Sequence, residues 1–437
     1  MKRVLKPTVG NATAAVQNAI NEVFLAGGGT VVLEKGVYPI GSVRLRSHVT
    51  LYLKSGAVIS GSRDPKDYQI LQEDALEPLP PDEFCSVGWS RATPERDNRF
   101  LLKCGSRWTN AMIRLAYAED AAIVGEKGSL IEGNDPFDPD GEEHYRGPHG
   151  ISFYHCAGLT FSGLTVQNTG NWAFCSYFSR DLTFRDLTVL GGHDGVHTSS
   201  ADHVLIENCR FETGDDCVAG FDIFDMTVRN CDLNSACSAF RLGGTDVHIE
   251  NCRAWGPANY GFRGSLSREE KERGAAADVG RKNMLAFFTY YSDFTLPVRH
   301  APGNITVRDC TVSDADRFLH FNFSGSERWQ LNRALGSIRF ENLRATGLGM
   351  SLCAYGDAND PLKLTMRNCE LAFREPVPEA IRTANYAAID LENVCFRNVD
   401  GPLVRSWGGD GSLRAVNVGG AAIAAVAADT PFQTVPI

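Results

Sequence analysis

Residues 191–217, GGHDGVHTSSADHVLIENCRFETGDDC, are the most informative segment for the fold, because they contain both a repeat and a group of acidic residues. Asp194 and Asp215 are 21 residues apart (215 − 194 = 21), and Asp216 follows directly. Neighbouring segments repeat at nearly the same spacing, with equivalent residues at steps of 22, 22 and 21: Asp186, Asn208, Asn230 and Asn251. Adjacent rungs of a parallel solenoid lie about 4.8 Å apart. We therefore expect the three carboxylates to meet on one surface.

Nine related units follow one another from about residue 150 to residue 399. Each unit has alternating apolar residues, then Asn or Asp, then a turn, as in ADHVLIENCRFETG and TDVHIENCRAWG. Such units are too short for helices and too regular for a β-sandwich. The sequence predicts an all-β chain that forms a parallel β-helix, a single-stranded solenoid, as one domain over residues 1–437.

Two rows of residues recur in register with these units. The first is predicted to be an internal amide ladder at a bend: Asn208, Asn230, Asn251, Asn342, Asn368 and Asn393. The second lies one residue later: Cys209, Cys231, Cys252, Cys310 and Cys369. Zinc needs ligands that converge on a point, whereas a row of thiols extends over many rungs. We interpret these cysteines as packing residues, and we predict neither a metal site nor a cofactor.

The regions outside the repeat suggest a cap and three loops. Residues 11–27 predict an amphipathic helix that covers the open end of the solenoid, with Asn11 or Thr13 as its cap and a glycine run as its stop. Its apolar residues have helical spacing: Val16, Ile20, Val23 and Phe24. Three charged or proline-bearing segments are predicted to be loop insertions that build a binding cleft: 62–100, 132–149 and 264–282.

The net charge of −10 and a sequence pI of about 5.5 argue against nucleic acid or an anionic membrane as a partner. The first residues lack the apolar core of a secretory signal, and thirteen cysteines are too sparse for a disulfide scaffold. These features predict reduced thiols and a cytoplasmic location. The oligomeric state is left open.

A group of neighbouring carboxylates has a specific chemical consequence. Two carboxylates about 5 Å apart repel by roughly 3 kcal/mol at an effective dielectric constant near 20. One of them should then keep its proton to near neutral pH, as acid-catalysed glycoside cleavage requires. Adjacent strand residues point to opposite faces, so Asp215 and Asp216 need a bulge or turn, which Gly214 permits.

Several segments resemble glycoside hydrolase family 28, the polygalacturonases, over most of residues 10–255. They are ATAAVQNAINEVFLAGGGTVVLEKGVYPIGSVRLRSHVTLYLKSGAVISGS, YRGPHGISFYHCAGLTFSGLTVQNTGNW and TGDDC. The resemblance implies a right-handed parallel β-helix and an inverting glycosidase that acts on pectin-derived or related oligosaccharides. It also implies that Asp215 is the general acid and that Asp194 and Asp216 hold the attacking water. Long loops between residues 62 and 149 favour a closed pocket and exo action.

Three departures from the family pattern affect the expected substrate. The family's Asn-Thr-Asp meets Gly192-His193-Asp194, and its Gly-His-Gly falls near Ala236-Cys237-Ser238. Its uronate-contacting Arg-x-Lys meets Arg263-Gly264-Ser265, so the arginine is kept and the lysine is lost. We therefore expect weak activity on plain polygalacturonate and better activity on oligosaccharides whose terminal sugar is neutral or differently substituted.

Five further residues are candidates for substrate binding. His193 and His197 flank Asp194 and are candidates to replace the lost polar groups. Arg241 and Arg263 are candidate ligands for an acidic or hydroxyl-rich sugar, and Trp172 could stack on a sugar ring. Each also has a purely structural interpretation: a surface histidine, a solvated arginine or a core tryptophan.

Two other classes of function fit the same pattern. A β-helical lyase or epimerase that acts on uronates would use the aspartates to hold Ca²⁺ and would lose activity in a chelator. A non-catalytic carbohydrate-binding solenoid would not need clustered carboxylates. A shared fold does not by itself establish function.

Overall fold

A computed structural model describes residues 1–7, 9–70, 110–274, 279–291, 299–300, 303–322, 335–407 and 411–427. Within these ranges the chain forms 35 β-strands and two α-helices, α1 (Thr13–Leu25) and α2 (Arg268–Glu272). The described strands pair in parallel. The prediction of a parallel β-helix is therefore confirmed. No helix in the described ranges is long and apolar enough to cross a membrane.

The strands are β1 Lys2–Leu5, β2 Gly29–Leu33, β3 Gly36–Ile40, β4 Val43–Arg44, β5 Val49–Leu53, β6 Ala57–Gly61, β7 Ala111–Ala116, β8 Ala122–Gly125, β9 Leu130–Glu132, β10 His149–Tyr154, β11 Ala157–Ser162, β12 Thr165–Gln167, β13 Phe174–Tyr177, β14 Arg180–Arg185, β15 Thr188–Leu190, β16 Val196–Ser199, β17 Asp202–Glu207, β18 Arg210–Thr213, β19 Val218–Arg229, β20 Asp232–Ser235, β21 Ser238–Glu250, β22 Arg253–Trp255, β23 Met284–Tyr290, β24 Gly303–Arg308, β25 Thr311–Ser313, β26 Ala315–Asn322, β27 Ser337–Glu341, β28 Arg344–Leu348, β29 Leu352–Tyr355, β30 Leu362–Val377, β31 Ile381–Ala384, β32 Tyr386–Val399, β33 Pro402–Trp407, β34 Ser412–Gly419 and β35 Ala422–Ala427.

The contacts divide the chain into two compact units. Unit one comprises residues 1–215 and 260–281, and unit two comprises residues 216–259 and the described residues from 282 onward. Each unit has its own parallel strand ladder, so both are stacks of β-helical coils. The prediction of one domain over residues 1–437 stays a prediction.

Unit one has three parallel sheets that repeat once per coil. Sheet A consists of β1, β2, β5, β8, β11, β14 and β17. Sheet B consists of β3, β6, β9, β12, β15 and β18. Sheet C consists of β4, β7, β10, β13 and β16. Inward residues form the core, where the rings of Phe153, Phe161 and Phe184 pack with centroids 5.2–6.5 Å apart.

Unit two also consists of parallel strand ladders, and several of its strands are longer, such as β19 and β30. Its strand β19 pairs with β21, and β21 pairs with both β23 and β24. The ladder then runs through β24, β27, β30, β32 and β34. A second ladder runs through β23, β26, β29, β31, β33 and β35.

The predicted capping helix is present as α1. It buries Val16, Ala19, Ile20 and Val23 and packs against β1 to β5, the first strands of unit one. Phe24 is half-buried under the guanidinium of Arg46, 4.8 Å from the ring centroid. The Asn11 side chain accepts a hydrogen bond from the Thr13 N–H at 2.8 Å. Glycines with positive φ follow the helix and end it: Gly27, Gly28 and Gly29.

The amide ladder exists, but its residues are exposed rather than internal. Asn251 donates to Asn230 at 2.7 Å, and the same contact joins Asn368 to Asn342 at 3.0 Å. Each of these asparagines has a positive φ near 50°, which Asn tolerates better than most residues. The left-handed turn directs the side chain outward and the following cysteine inward. The eleven cysteines in the described ranges are free thiols.

Two of the three predicted loop insertions can be checked, because the structure describes most of their residues. Residues 133–148 separate β9 from β10 and contain a short 3₁₀ helix, Glu142–His144. The segment 264–282 lies between β22 and β23 and contains α2. Residues 71–100 of the first predicted insertion lie outside the described residues.

Candidate active site

In unit one, four predicted site residues lie on turns that follow strands of sheet B: Trp172, His193, Asp194 and Asp215. His197 lies on β16, and Arg263 lies in the segment between β22 and β23. Trp172 and Asp194 occupy equivalent positions on consecutive coils, because the register pairs Phe174 with Val196. The Ala173 N–H donates to the Asp194 carbonyl at 2.9 Å, which fixes this register. Asp215 lies on the next such turn, after β18. The coil period thus brings residues of separate turns to one edge of the unit.

Asp194 and Asp215 are brought together as the spacing predicts. One carboxylate oxygen of each lies within 4.8 Å of the other. The turns approach closely, since a Cβ on Gly214 would lie 2.6 Å from the Gly192 carbonyl oxygen. Gly192 itself has φ +66°, a conformation that L side chains rarely adopt. Glycine at these two positions is what allows the two carboxylates to meet.

Asp194 is held by His197. The His197 Nδ1 lies 2.7 Å from Asp194 Oδ2, and both side chains are 3% exposed. Trp172 stacks on the opposite side, with its ring 3.8 Å from the His197 ring and an interplanar angle of 5°. Trp172 is buried. The tryptophan therefore orients the histidine that orients Asp194, and its predicted role as a sugar platform stays a prediction.

Asp215 has a different pair of neighbours. Arg146 donates from Nη2 to Asp215 Oδ2 at 3.1 Å. His193 Nδ1 lies 3.9 Å from the same oxygen. His193 is fully buried, and burial, reinforced by the charge of Arg146, lowers its pKa well below the ordinary value. The imidazole is therefore neutral, and the positive charge next to Asp215 is that of the guanidinium.

Arg146 is the centre of a buried network that the sequence analysis missed. Its Nε donates to Glu143 at 3.1 Å, and its Nη1 donates to Asn171 Oδ1 at 3.4 Å. The Asn171 amide in turn donates to Glu142 at 2.9 Å. Burial raises the pKa of Glu142 to about 8, against the opposing charge of Arg146. Burial thus favours the protonated form of Glu142, and the Arg146 guanidinium favours the carboxylate.

The backbone of the loop explains how Arg146 reaches the site. Glu143 and His144 both have left-handed φ values, 52° and 61°. Such conformations cost free energy in non-glycine residues and occur often at functional sites. A Cβ on Gly141 would lie 2.0 Å from the Arg146 carbonyl oxygen. The sequence signal was the YRGPHG segment that begins at Tyr145, but nothing periodic assigned it to this turn.

In unit two, Asp216 and Arg241 form a pair. Asp216 Oδ1 accepts the Ser238 N–H at 2.8 Å, and Oδ2 lies 3.4 Å from Arg241 Nη1. The Arg241 guanidinium also lies over the Tyr291 ring, 4.3 Å from its centroid. Arg241 thus contacts a carboxylate and an aromatic face, and its predicted contact with substrate stays a prediction.

Arg263 lies at a cavity of about 660 Å³ in unit one, where it pairs with Asp135. Burial raises the pKa of Asp135 to about 6, and the charge of Arg263 opposes this shift. The cavity is lined by Arg63, Glu132, Asn134, Asp135, Pro136, Phe137, Asn168, Gly191, Gly192, Tyr260, Gly261, Arg263, Lys271, Glu272, Arg273, Gly274 and Val279. Both described loop insertions contribute walls, and Gly192 directly precedes the His193-Asp194 pair.

The donor set of unit one is a poor fit to a calcium site. Asp194 and Asp215 offer carboxylate oxygens, the ligand type that Ca²⁺ takes, but Ca²⁺ needs about six to eight of them. The Arg146 guanidinium already occupies Oδ2 of Asp215.

Comparison with known proteins supports this interpretation of the fold. A family model described as "Right handed beta helix region" matches residues 149–267. A protein from Vitis vinifera named "Probable polygalacturonase" is 29% identical over 219 residues, covering 47% of this chain and 40% of the relative. The match thus spans less than half the length of the grape protein.

Two solved structures extend the likeness to nearly the whole chain. The hyperthermoactive exopolygalacturonase from Thermotoga maritima has a TM-score of 0.63 at 17% identity and covers 90% of this chain and 91% of its own. The family 28 exopolygalacturonase from Yersinia enterocolitica has a TM-score of 0.58 at 13% identity, covering 100% and 79%. The chain therefore has the fold of a right-handed parallel β-helix, similar to that of these two proteins. The predicted handedness is confirmed.

Proposed function

We propose that this protein is a glycoside hydrolase that cleaves pectin-derived or related oligosaccharides by inversion and exo action. The observation that carries the assignment as a glycoside hydrolase is the approach of Asp194 and Asp215 to within 4.8 Å, with different partners for the two carboxylates. Inversion is proposed from the resemblance to family 28. Two neighbouring carboxyl groups in different environments are what glycoside hydrolysis uses as acid and base. The likeness to a probable polygalacturonase supports the same chemistry.

We assign the proton transfer to Asp215 and the activation of water to Asp194 and Asp216. Arg146 contacts Oδ2 of Asp215, so Oδ1 is the oxygen that we assign to the leaving group. Asp194 is oriented by His197, and Asp216 by the Ser238 N–H and Arg241. A carboxylate that is held by hydrogen-bond donors has a fixed orientation, and it therefore holds the attacking water in one orientation.

Exo action is supported by the cavity rather than by the aspartates. A volume of about 660 Å³ lies within the range of about 300 to 1,000 Å³ found for small-molecule pockets. Its walls come from residues 133–148 and from the segment that carries α2, so the end of a sugar chain fits better than its middle.

The test is hydrolysis by the purified protein of a panel of pectic oligosaccharides and nitrophenyl glycosides. Release of one terminal sugar per cleavage supports exo hydrolysis. A product with a new double bond that absorbs in the ultraviolet would show a lyase instead. Failure to cleave any member, with a correctly folded protein, would favour a carbohydrate-binding solenoid.

We also propose a cytoplasmic location and an oligosaccharide as the main partner. The eleven free thiols in the described ranges support a reducing compartment. Cell fractionation with an antibody against the protein tests the location, and recovery outside the cytoplasm would contradict it.

A further inference from the structure

Cys353 lies in a row of polar side chains on the second strand ladder of unit two. Parallel pairing places it level with His320 of β26 on one side and with Arg382 of β31 on the other. Adjacent rungs of such a sheet lie about 4.8 Å apart. Arg405 of β33 continues the row beyond Arg382. The thiol is thus placed between an imidazole and a guanidinium.

This row faces outward from the coil. Leu352 and Ala354, which flank Cys353 on β29, are 0% and 1% exposed, whereas the Arg382 and Arg405 side chains in its row are 34% and 32% exposed. Successive strand residues point to opposite faces, so the two flanking residues point into the core and the cysteine points away from it. Cys353 is 7% exposed. Only a small molecule can therefore approach the thiol.

His320 is oriented by Arg317 of the same strand. The Arg317 Nη1 lies 2.7 Å from the His320 Nδ1, and the histidine is 1% exposed. A guanidinium donates hydrogen bonds and accepts none, so Nδ1 is the acceptor and the neutral ring carries its proton on Nε2. The imidazole thus presents a donor on the rung next to Cys353.

Two guanidiniums share one carboxylate on the other side of the thiol. Glu379 is 1% exposed and pairs with Arg382 at 2.6 Å and with Arg405 at 3.1 Å. The three groups together leave an excess of positive charge beside Cys353. Cationic neighbours favour the thiolate over the thiol.

The surroundings of Cys353 change its acidity. Burial raises the pKa of the thiol, but hydrogen bonding to His320 and the charge of Arg317 lower it. The Tyr355 hydroxyl acts in the same direction, and the resulting pKa lies below the ordinary value. Because the thiolate is the nucleophilic form of cysteine, this thiol should be reactive at neutral pH.

Two other buried thiols show the opposite shift. Burial raises the pKa of Cys369 to about 11 and that of Cys156 to about 12. The Cys369 Sγ donates to the Arg367 carbonyl at 3.2 Å, and the Cys156 Sγ donates to the Tyr154 carbonyl at 3.3 Å. Burial alone therefore does not distinguish Cys353, whereas its polar neighbours do.

We propose that Cys353 is an oxidation site, at which a small hydroperoxide converts the thiolate into a sulfenic acid, and that Arg317 is a positioning residue that favours the thiolate through His320. The sulfur attacks one oxygen of the peroxide, so an S–O bond forms and the O–O bond breaks. The sulfur loses two electrons and the peroxide gains them. The departing hydroxide takes up the proton that the thiol released.

The same register predicts the fate of the product. The rungs next to Cys353 carry His320 and Arg382 at the equivalent positions, so neither supplies a thiol that would convert the sulfenic acid into a disulfide. The sulfenic acid should therefore be open to trapping by an added reagent. This inference goes beyond the proposed hydrolysis and does not depend on it.

The first test compares cysteines within the folded wild-type protein. Limiting hydrogen peroxide is added together with dimedone, which traps sulfenic acids, and peptide mass spectrometry gives the rate of labelling at each cysteine. At neutral pH Cys353 should be labelled at least about 10-fold faster than Cys369 or Cys156, since a difference of one pKa unit changes the thiolate fraction about tenfold. In urea-unfolded protein the three should react alike.

The second test measures the rate of alkylation of Cys353 by iodoacetamide as a function of pH. Arg317→Met should move this profile to higher pH and slow the reaction at neutral pH by about 10-fold. His320→Phe keeps a ring, removes the donor and should move the profile in the same direction. The matched control is Arg339→Met, which removes a cation of unit two that pairs with Glu341. Its profile should equal that of the wild type, and thermal unfolding checks that each variant folds.

Two results would overturn the proposal. Labelling of Cys353 no faster than that of Cys369 in the folded wild type removes the oxidation site, and this comparison needs no variant. A pH profile that is the same in folded Arg317→Met as in the wild type removes the role of Arg317.

Discussion

Arg146 Nη2 lies 3.1 Å from Oδ2 of Asp215, although 69 residues separate them in the chain. The two side chains are 6% and 13% exposed. The pair joins the loop 133–148 to the turn that carries the proposed acid. Arg146 therefore orients the proposed acid, Asp215, and also stabilises the fold of unit one.

Replacement of Arg146 by methionine should therefore destabilise the protein and lower activity. Removing one partner of a buried ion pair costs about 3 to 5 kcal/mol, because the other charge is left without compensation. Urea unfolding measures the change. Arg146→Lys is the control, because it keeps the charge and loses the forked geometry of the guanidinium. Its free energy of unfolding should lie between those of the wild type and Arg146→Met. An Arg146→Met protein as stable as the wild type would show that the pair contributes nothing to folding.

Asp215→Asn should reduce kcat by about 10²- to 10⁴-fold, the usual effect of losing an acid catalyst. The asparagine has nearly the same shape, so the thermal midpoint should change little. Asp186→Asn is a suitable control, since Asp186 occupies an exposed turn of the same repeat. Near wild-type turnover in a folded Asp215→Asn protein would remove Asp215 from the mechanism.

Glu142 should make the stability depend on pH. Its pKa is about 8 in the folded protein and 4.5 ordinarily. Between these values the folded protein holds a proton that the unfolded chain has released, so the free energy of unfolding falls as pH rises from about 4.5 to about 8. Glu142→Gln keeps the shape and removes the titration. Urea unfolding at about pH 5 and about pH 9 should show a slope in the wild type that is smaller in this variant. An identical slope in both would place the titrating group elsewhere.

The hydrolysis should invert the anomeric centre and proceed without metal. Inversion usually needs carboxyl groups about 6.5 to 9.5 Å apart, and the closest oxygens of Asp194 and Asp215 are nearer than that. Our expectation of inversion therefore depends on the resemblance to family 28 and on Asp216 as a third carboxylate. Proton NMR of the first product anomer decides between inversion and retention. Complete loss of activity in EDTA would favour the calcium-dependent alternative.

The repetitive part of the structure was predictable from the sequence. The 22-residue step from Asp186 to Asn208 and the alternation of apolar residues defined the coils, and the structure shows the same register between β14 and β17. A parallel ladder imposes one spacing on every rung, so local pattern and tertiary position are linked. For the same reason the meeting of Asp194 and Asp215 could be inferred from their spacing. The internal position assigned to the asparagines was wrong, because a left-handed turn directs them outward.

The tertiary structure alone decided which side chains surround those carboxylates. Arg146 and Glu142 come from the insertion 132–149. That insertion has no repeat, so its sequence could not predict where these side chains would lie. Their positions depend on glycine contacts and left-handed residues, each a local balance of packing and hydrogen bonding. The sequence was sufficient to predict the solenoid and its pair of aspartates, because in a regular repeat the separation along the chain gives the separation in space. The charged side chains around the site are positioned by the folded loops. Some of their contacts join residues far apart in the chain, such as Arg263 and Asp135, which are 128 residues apart.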